Sequence, residues 1–330
     1  MLTGKYSHIN GKINNRVPFN WDQQNYPGLM QQEGYQTALI GKILLAGAPQ
    51  GFNYSMTLPG QGHYYNPKNE AFLHEIPEDK YWIFSESHSR GFSPDFLKNT
   101  PEGRKLSKFM YHRYLRDYLK TVKSVDDGIG KILAYLEDNN LLENTVVVYT
   151  SDQGFYLGEH GWYDKRFMYE QSLSTPLLAR YPSEIKAGTE VHDLVLNLDL
   201  APTLLDYAGI AIPEDMQGES WRELAAGKKV PWRDAIYYHY YEYPSVHMVK
   251  RHYGVRTDRY KLIHFYYDVD EWEMYDLYED PDEMNSIYGD PAYSEVQAML
   301  HRRLDELRVQ YGDSDDLSRK FLQEFLERRN

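Results

Sequence analysis

The chain of 330 residues contains no cysteine. Disulfides, thiolate metal ligands and a cysteine nucleophile are therefore excluded from it. No apolar run approaches the about 20 residues that cross a bilayer as a helix. The first residues, Met1-Leu2-Thr3-Gly4-Lys5-Tyr6, show neither a basic segment nor an apolar stretch, so no signal peptide is visible. Positive charge is scarce: 36 basic against 49 acidic side chains give a net charge of −13. Such a surface repels phosphate backbones and argues against a nucleic-acid partner. There is no internal repeat and no low-complexity stretch.

What is present suits a globular chain with a sizeable core: 42% of residues are hydrophobic and 26% charged. Tyrosine is abundant, with 31 residues, many of them in 237–278. Such rings pack strands, and they also stack on sugar faces. Both readings stay open at this point.

Residues 25–33 read as a short helix closed by Gly34, and 36–40 as a buried strand leading to Gly41-Lys42. Residues 47–67 are rich in Gly, Pro and Asn and read as loop. Residues 68–104 are polar, carry Pro77, Pro94 and Pro101, and show no period. Residues 107–138 form the longest helical pattern, with apolar residues from Met110 to Leu136 at steps of three and four. The β-branched run Thr145-Val146-Val147-Val148-Tyr149-Thr150 follows. A helix feeding such a strand is half of a βαβ unit and predicts an α/β fold with a mostly parallel central sheet. Residues 199–208 read as a helix ending at Gly209. Short aromatic strands between 232 and 278 predict a smaller antiparallel subdomain, followed by helices over 292–311 and 315–328. The domains expected are 1–225 and 226–330.

Ligands of open α/β sheets sit beyond the carboxyl ends of the strands. Residues 151–165 occupy that place. They gather a carboxylate (Asp152), an amide (Gln153), an imidazole (His160) and an ammonium (Lys165) among three glycines. Oxygen donors suit a hard cation such as Ca²⁺, and a lysine suits a tetrahedral oxyanion. Capping of the turn by Asp152 and solvation of Lys165 are the plainer alternatives.

Ser151-Asp152-Gln153-Gly154 and Gly158-Glu159-His160-Gly161, four places before Lys165, resemble the S-D-x-G and G-E-H-G-x-x-x-K elements of the type I, formylglycine-dependent sulfatases. Pro176 to Pro182, Leu2 to Tyr6, Gly34 to Lys42 and Asp199 to Leu205 resemble further blocks of that family, in the same order. The resemblance implies the alkaline-phosphatase-like sandwich. It implies hydrolysis of sulfate esters by a hydrated formylglycine, with Ca²⁺ held in part by Asp152 and Gln153. Lys42 and Lys165 would contact the sulfate, and His160 would line the site. Residues 237–257 resemble bacterial sulfatases acting on sugars, which makes His239, His247, His252 and Arg256 candidates for binding a sulfated carbohydrate. Family members are usually exported. The sequence sets no oligomeric state.

Three departures qualify that expectation. The family's C/S-x-P/A-x-R signature is absent: there is no cysteine, and no serine has Pro or Ala two places on with Arg four places on. The formylglycine is therefore not encodable here, and the first core strand with its acidic ligands is missing, so Ca²⁺ is expected to bind weakly or not at all. Leu44 stands where the family has a histidine. Residues 68–104 are too short and polar for the strand and histidine loop expected there, with His88 the one substitute. The alternatives are a non-catalytic binder of sulfated glycans and a phosphodiester or phosphonate hydrolase of the same superfamily.

Overall fold

The computed structural model describes residues 1–43, 45–58, 103–245 and 247–327. Leu44, His88 and nearly all of 68–104 lie outside them. The chain divides into two compact units: Met1–Ala38, Leu45–Asn53 and Glu143–Asn330 form one, and Leu39–Leu44 with Tyr54–Leu142 the other. The expected division at 225/226 is crossed by shared cores, described below.

The second unit holds strands β1 (Ala38–Lys42) and β2 (Tyr54–Leu58), paired in a two-stranded sheet, and helix α2 (Gly103–Asp138). β2 falls inside the stretch read as loop. β1 is not buried: exposed and half-buried residues alternate along it, with Ile40 at 63% exposure. Helix α2 has the expected apolar spacing, and Tyr118, Val122, Val125 and Ile132 on it are exposed. No helix among the described residues is long and apolar enough to cross a membrane.

The first unit begins with helix α1 (Tyr26–Gln32), started by the Asn25 side chain accepting from the Gly28 amide, with Pro27 in its first turn. Strand β3 (Val147–Thr150) pairs with β4 (Leu177–Arg180). Their ladder is antiparallel. The 151–176 connection brings the chain back alongside without the crossover that a parallel neighbour requires. Helix α3 (Glu170–Leu173) is one turn within that connection, and helix α4 (Leu200–Tyr207) follows β4.

The antiparallel subdomain expected from the aromatic run is present. Strands β5 (Ala235–Tyr240), β6 (His252–Thr257), β7 (Tyr260–Phe265) and β8 (Glu271–Asp276) form a meander in that order. Helix α5 (Ser294–Gln310) and helix α6 (Asp315–Glu327) end the chain. Alternation along the strands sends Tyr237, Tyr253, Val255, Leu262 and Met274 to one face, against Leu300, Leu304 and Leu307 of α5. Each buried leucine contributes about 1.5–3 kcal/mol. The other face turns Ile263, Phe265 and Tyr275 toward Tyr156, Met168 and Tyr169. The segment carrying the sequence motifs is thus clamped onto the back of this sheet. Gly254 permits the approach: a Cβ there would lie 2.3 Å from the Leu262 carbonyl oxygen and 2.7 Å from the Met168 sulfur.

Candidate functional site

Helix α3 is the hub on which the motif loops converge. The Gly154 amide donates to the Ser172 carbonyl at 2.8 Å. Loop and helix lie so close that a Cβ on Gly154 would sit 2.1 Å from the Gln171 carbonyl oxygen. This contact, not turn geometry, demands the glycine that follows Asp152 and Gln153. The Ser151 hydroxyl donates to the Gln153 carbonyl at 2.8 Å, and Asn197 donates to the Asp152 carbonyl at 3.2 Å. The Asp152 side chain is exposed and Gln153 half-buried.

His160 sits in a one-turn 3₁₀ segment with φ of 53°, a left-handed conformation uncommon for a non-glycine residue. Its ring stacks on Tyr169 with centroids 4.6 Å apart and on Trp162 at 5.8 Å. Its Nε2 is buried and has no hydrogen-bond partner among the described residues. Backbone strain and an unsatisfied ring nitrogen together mark a functional position more than a packing one.

Lys165 lies in a segment whose carbonyls are all engaged. The Tyr156 amide donates to the Asp164 carbonyl at 2.7 Å. The Ser172 hydroxyl donates to that of Lys165 at 2.7 Å, and the Tyr238 hydroxyl to that of Arg166 at 2.7 Å. The Tyr156 hydroxyl donates to that of Phe167 at 3.1 Å. The Arg166 guanidinium pairs with Asp164. The half-buried Lys165 ammonium makes no ion pair among the described residues. Lys42 lies at the end of β1 in the other unit.

Arg256 reaches Glu170 of α3 at 3.3 Å. Behind them the fully buried Lys261 bridges Glu170 at 2.9 Å and Glu283 at 2.6 Å. Burial alone would push the Glu170 carboxyl up, but Lys261 and Arg256 hold it below its ordinary value. Burial keeps Glu283 raised. Glu170 and Arg256 also stand on the wall of a cavity of about 590 Å³ beside Thr150, among Leu173, Leu177 and Trp221. Within this cavity the Arg256 guanidinium is already committed to Glu170.

The histidines proposed for sugar hydroxyls are placed differently. His239 is 2% exposed and both ring nitrogens are used, by Asp313 at 2.5 Å and by the Tyr266 hydroxyl at 2.5 Å. Burial would raise the Asp313 carboxyl, but His239 and Tyr237 hydrogen bonds hold it well below its usual range, while burial keeps the imidazole neutral. The network therefore assigns the proton to Nδ1, facing Asp313. His252 is fully buried, within stacking distance of Phe167 and Tyr238, with the Lys250 carbonyl on Nδ1 at 2.7 Å. Both rings are buried in this structure, and the His252 Nε2, like that of His160, has no hydrogen-bond partner among the described residues. His247 remains partly exposed, 3.4 Å from Glu242.

Burial is the main effect on His252 and pushes it from 6.5 down to about 4, partly opposed by its hydrogen bond to Lys250. A base depressed on folding favours the fold above its unfolded value, and that contribution is lost as the pH falls from 6.5 toward 4. The shift corresponds to about 3 kcal/mol. Urea denaturation at a series of pH values should therefore show a shallower loss of stability for His252→Phe than for the wild type over that interval. Parallel curves would contradict this.

The fold family implies Ca²⁺, and the donors decide whether it fits. Calcium takes roughly six to eight oxygens. No group of three or more His, Asp or Glu side chains able to hold a metal exists among the described residues. Asp152 and Gln153 offer three side-chain oxygens between them. This donor set does not fit the ion, and no step is routed through it.

Asp152 and Gln153 follow the end of β3, and Lys165 stands on a loop held by its carbonyls; comparison with known proteins gives the class to which these loops belong. The family described as "Sulfatase" matches residues 80–210, and "N-sulphoglucosamine sulphohydrolase, C-terminal" matches 158–310. The chain is 38% identical to an N-acetylglucosamine-6-O-sulfatase of Bacteroides thetaiotaomicron over 432 positions, covering 96% of this chain and 77% of the relative. It is 31% identical over 207 positions to an arylsulfatase of Clostridium perfringens, covering 61% of this chain and 42% of that one. A solved structure in complex with its substrate D-glucosamine-2-N,6-O-disulfate superposes with a TM-score of 0.85 at 37% identity, covering 95% of this chain and 87% of that one. The chain belongs to the sulfatase family, whose reaction is the hydrolysis of sulfate esters, and its fold is the alkaline-phosphatase-like one. The matched span of 432 positions exceeds the 330 residues by 102, so that relative carries internal segments this chain does not have.

Sequence reasoning found the loops but missed what holds them. Ser172, Tyr238 and Tyr156 make the decisive backbone contacts. Nothing in sequence marks them, because a carbonyl partner leaves no compositional signal.

Proposed function

We propose that this chain binds the sulfate ester of an amino sugar, with a 6-sulfated glucosamine as the ligand, and that Lys165 contacts the sulfate. The observation that carries this reading is the Lys165 ammonium, which makes no ion pair among the described residues and stands on a segment whose four carbonyls are all anchored. The N-acetylglucosamine-6-O-sulfatase at 38% identity and the glucosamine disulfate complex support the sugar. Lys165 supplies fixed positive charge for the sulfuryl oxygens. Asp152, Gln153 and His160 line the same loops, Arg256 orients Glu170, and the partly exposed His247 is the candidate for a sugar hydroxyl. Residues 1–330 encode no formylglycine, so by themselves they hold the ester without cleaving it. Calcium and the aldehyde belong to the family's chemistry and would need residues beyond those described.

Titration calorimetry with D-glucosamine 6-sulfate and with unsulfated glucosamine tests the reading. Saturable heat with the sulfated sugar alone, and no sulfate released by ion chromatography, is the expected pair of results. Equal heats overturn the sulfate contact, and released sulfate overturns the missing nucleophile. A phosphonate monoester hydrolase superposes with a TM-score of 0.71 at 20% identity, a likeness of fold alone; preferential binding of a phosphonate ester would move the reading there.

A further inference from the structure

The lysine that would meet the sulfate is flexible along its own side chain, so its accuracy depends on its backbone. Residues 164–167 form an irregular loop with no ladder or helix to fix it. Four external hydrogen bonds replace that support, one to each successive carbonyl. Two of the donors are side chains from elements other than the loop's own base. Ser172 of α3 is 4% exposed and holds the carbonyl of Lys165 itself. Tyr238 comes from the middle of β5, across the sheet's back face, and holds the next carbonyl. Its ring packs on His252, with centroids 5.5 Å apart, so the hydroxyl has one place to point. Burial pushes the phenol up, and it remains a proton donor throughout the working pH range. Arg166 is paired to Asp164, whereas Lys165 makes no ion pair among the described residues. An ammonium displaced by about 1 Å loses the short N–H···O geometry of a charge-assisted hydrogen bond to a bound anion.

We propose that Tyr238 and Ser172 are positioning residues for Lys165, acting through the carbonyls of Arg166 and Lys165. The antiparallel sheet thereby becomes part of the anion site without touching the ligand. This rests on the reading of Lys165 as the sulfate contact.

The test is a double-mutant cycle on the full chain, with D-glucosamine 6-sulfate as the titrant. Lys165→Ala should weaken binding about 10- to 100-fold, the range for losing one charged hydrogen-bond partner. Tyr238→Phe and Ser172→Ala should each weaken it about three- to tenfold, with a melting curve that remains cooperative. Neither should weaken it further once Lys165 is alanine. Wild-type affinity in both positioning variants overturns the proposal, as does a full additional loss in the Lys165→Ala background. Should one variant fail to fold, the other completes the cycle. If Lys165→Ala itself binds like wild type, the sulfate-contact reading fails. That outcome is distinct from a normal Lys165→Ala loss with unaffected Tyr238→Phe and Ser172→Ala, which sinks the positioning proposal alone.

Discussion

Asp199→Ala should cost about 3–5 kcal/mol of stability, the largest single effect expected in this chain. Asp199 is fully buried. Its carboxylate accepts from the amides of Leu196 at 2.7 Å and Glu219 at 2.8 Å, and pairs with both terminal nitrogens of Arg233. Arg233 is 5% exposed and stacks its charge over Trp232. Alanine would leave that guanidinium with the Leu194 carbonyl at 3.0 Å and the half-exposed Glu219 carboxylate at 3.6 Å, and two amides without their acceptor, which is why deleting one partner of a buried pair costs more than the pair contributes. The Thr203 hydroxyl donates to the Asp199 carbonyl at 2.6 Å and accepts from the Trp221 amide at 3.1 Å. The family block Asp199 to Leu205 is therefore a junction tying α4 to the 219–233 segment. Urea unfolding reads the loss; a midpoint unchanged from wild type would contradict it.

Lys261→Met should be comparably severe at neutral pH, and its severity should depend on pH. Lys261 is the shared counter-ion of Glu170 and Glu283. Removing it leaves Glu283, whose side chain is fully buried, with one backbone amide, that of Glu170 at 2.6 Å. The expected deficit is about 3–5 kcal/mol. Glu283 is already raised by burial, so it is the group that would take up a proton. An acid raised on folding binds its proton more tightly in the native state, so stability of the variant recovers as the pH falls below that raised value. The deficit should shrink in acid and be full at neutrality. A pH-independent deficit would contradict the role given to Glu283. Loss of Glu170's alignment should also free Arg256.

The parts of this protein legible in the sequence are those governed by period and by local chemistry. The aromatic alternation over 235–276 yields the meander, and Gly34 and Gly209 do end helices, at φ of 86° and 71°. The strand over 147–150 is where its β-branched run puts it. Its antiparallel pairing with 177–180 is not written in that run, because pairing direction depends on contacts between distant segments and not on composition. The same limit explains the histidines. His239 and His252 carry site chemistry in their side chains, but strand alternation and neighbours such as Asp313 and Phe167 bury them, and only the folded chain shows those neighbours. Conversely, the glycine in Ser151-Asp152-Gln153-Gly154 reads as a bend in the sequence and proves to be a close approach to α3. His160 was recognised through its motif, and its strained φ and unsatisfied nitrogen add a physical reason for it.

The account stands most directly on Lys165 meeting the sulfate. Side-chain NMR of the chain with ¹⁵N-labelled lysine, its Lys165 Nζ signal assigned with Lys165→Arg, reads that contact during titration with D-glucosamine 6-sulfate. The account requires a saturable shift of the Lys165 signal that unsulfated glucosamine does not produce. A Lys165 signal that stays in place while the sulfated sugar binds would contradict it.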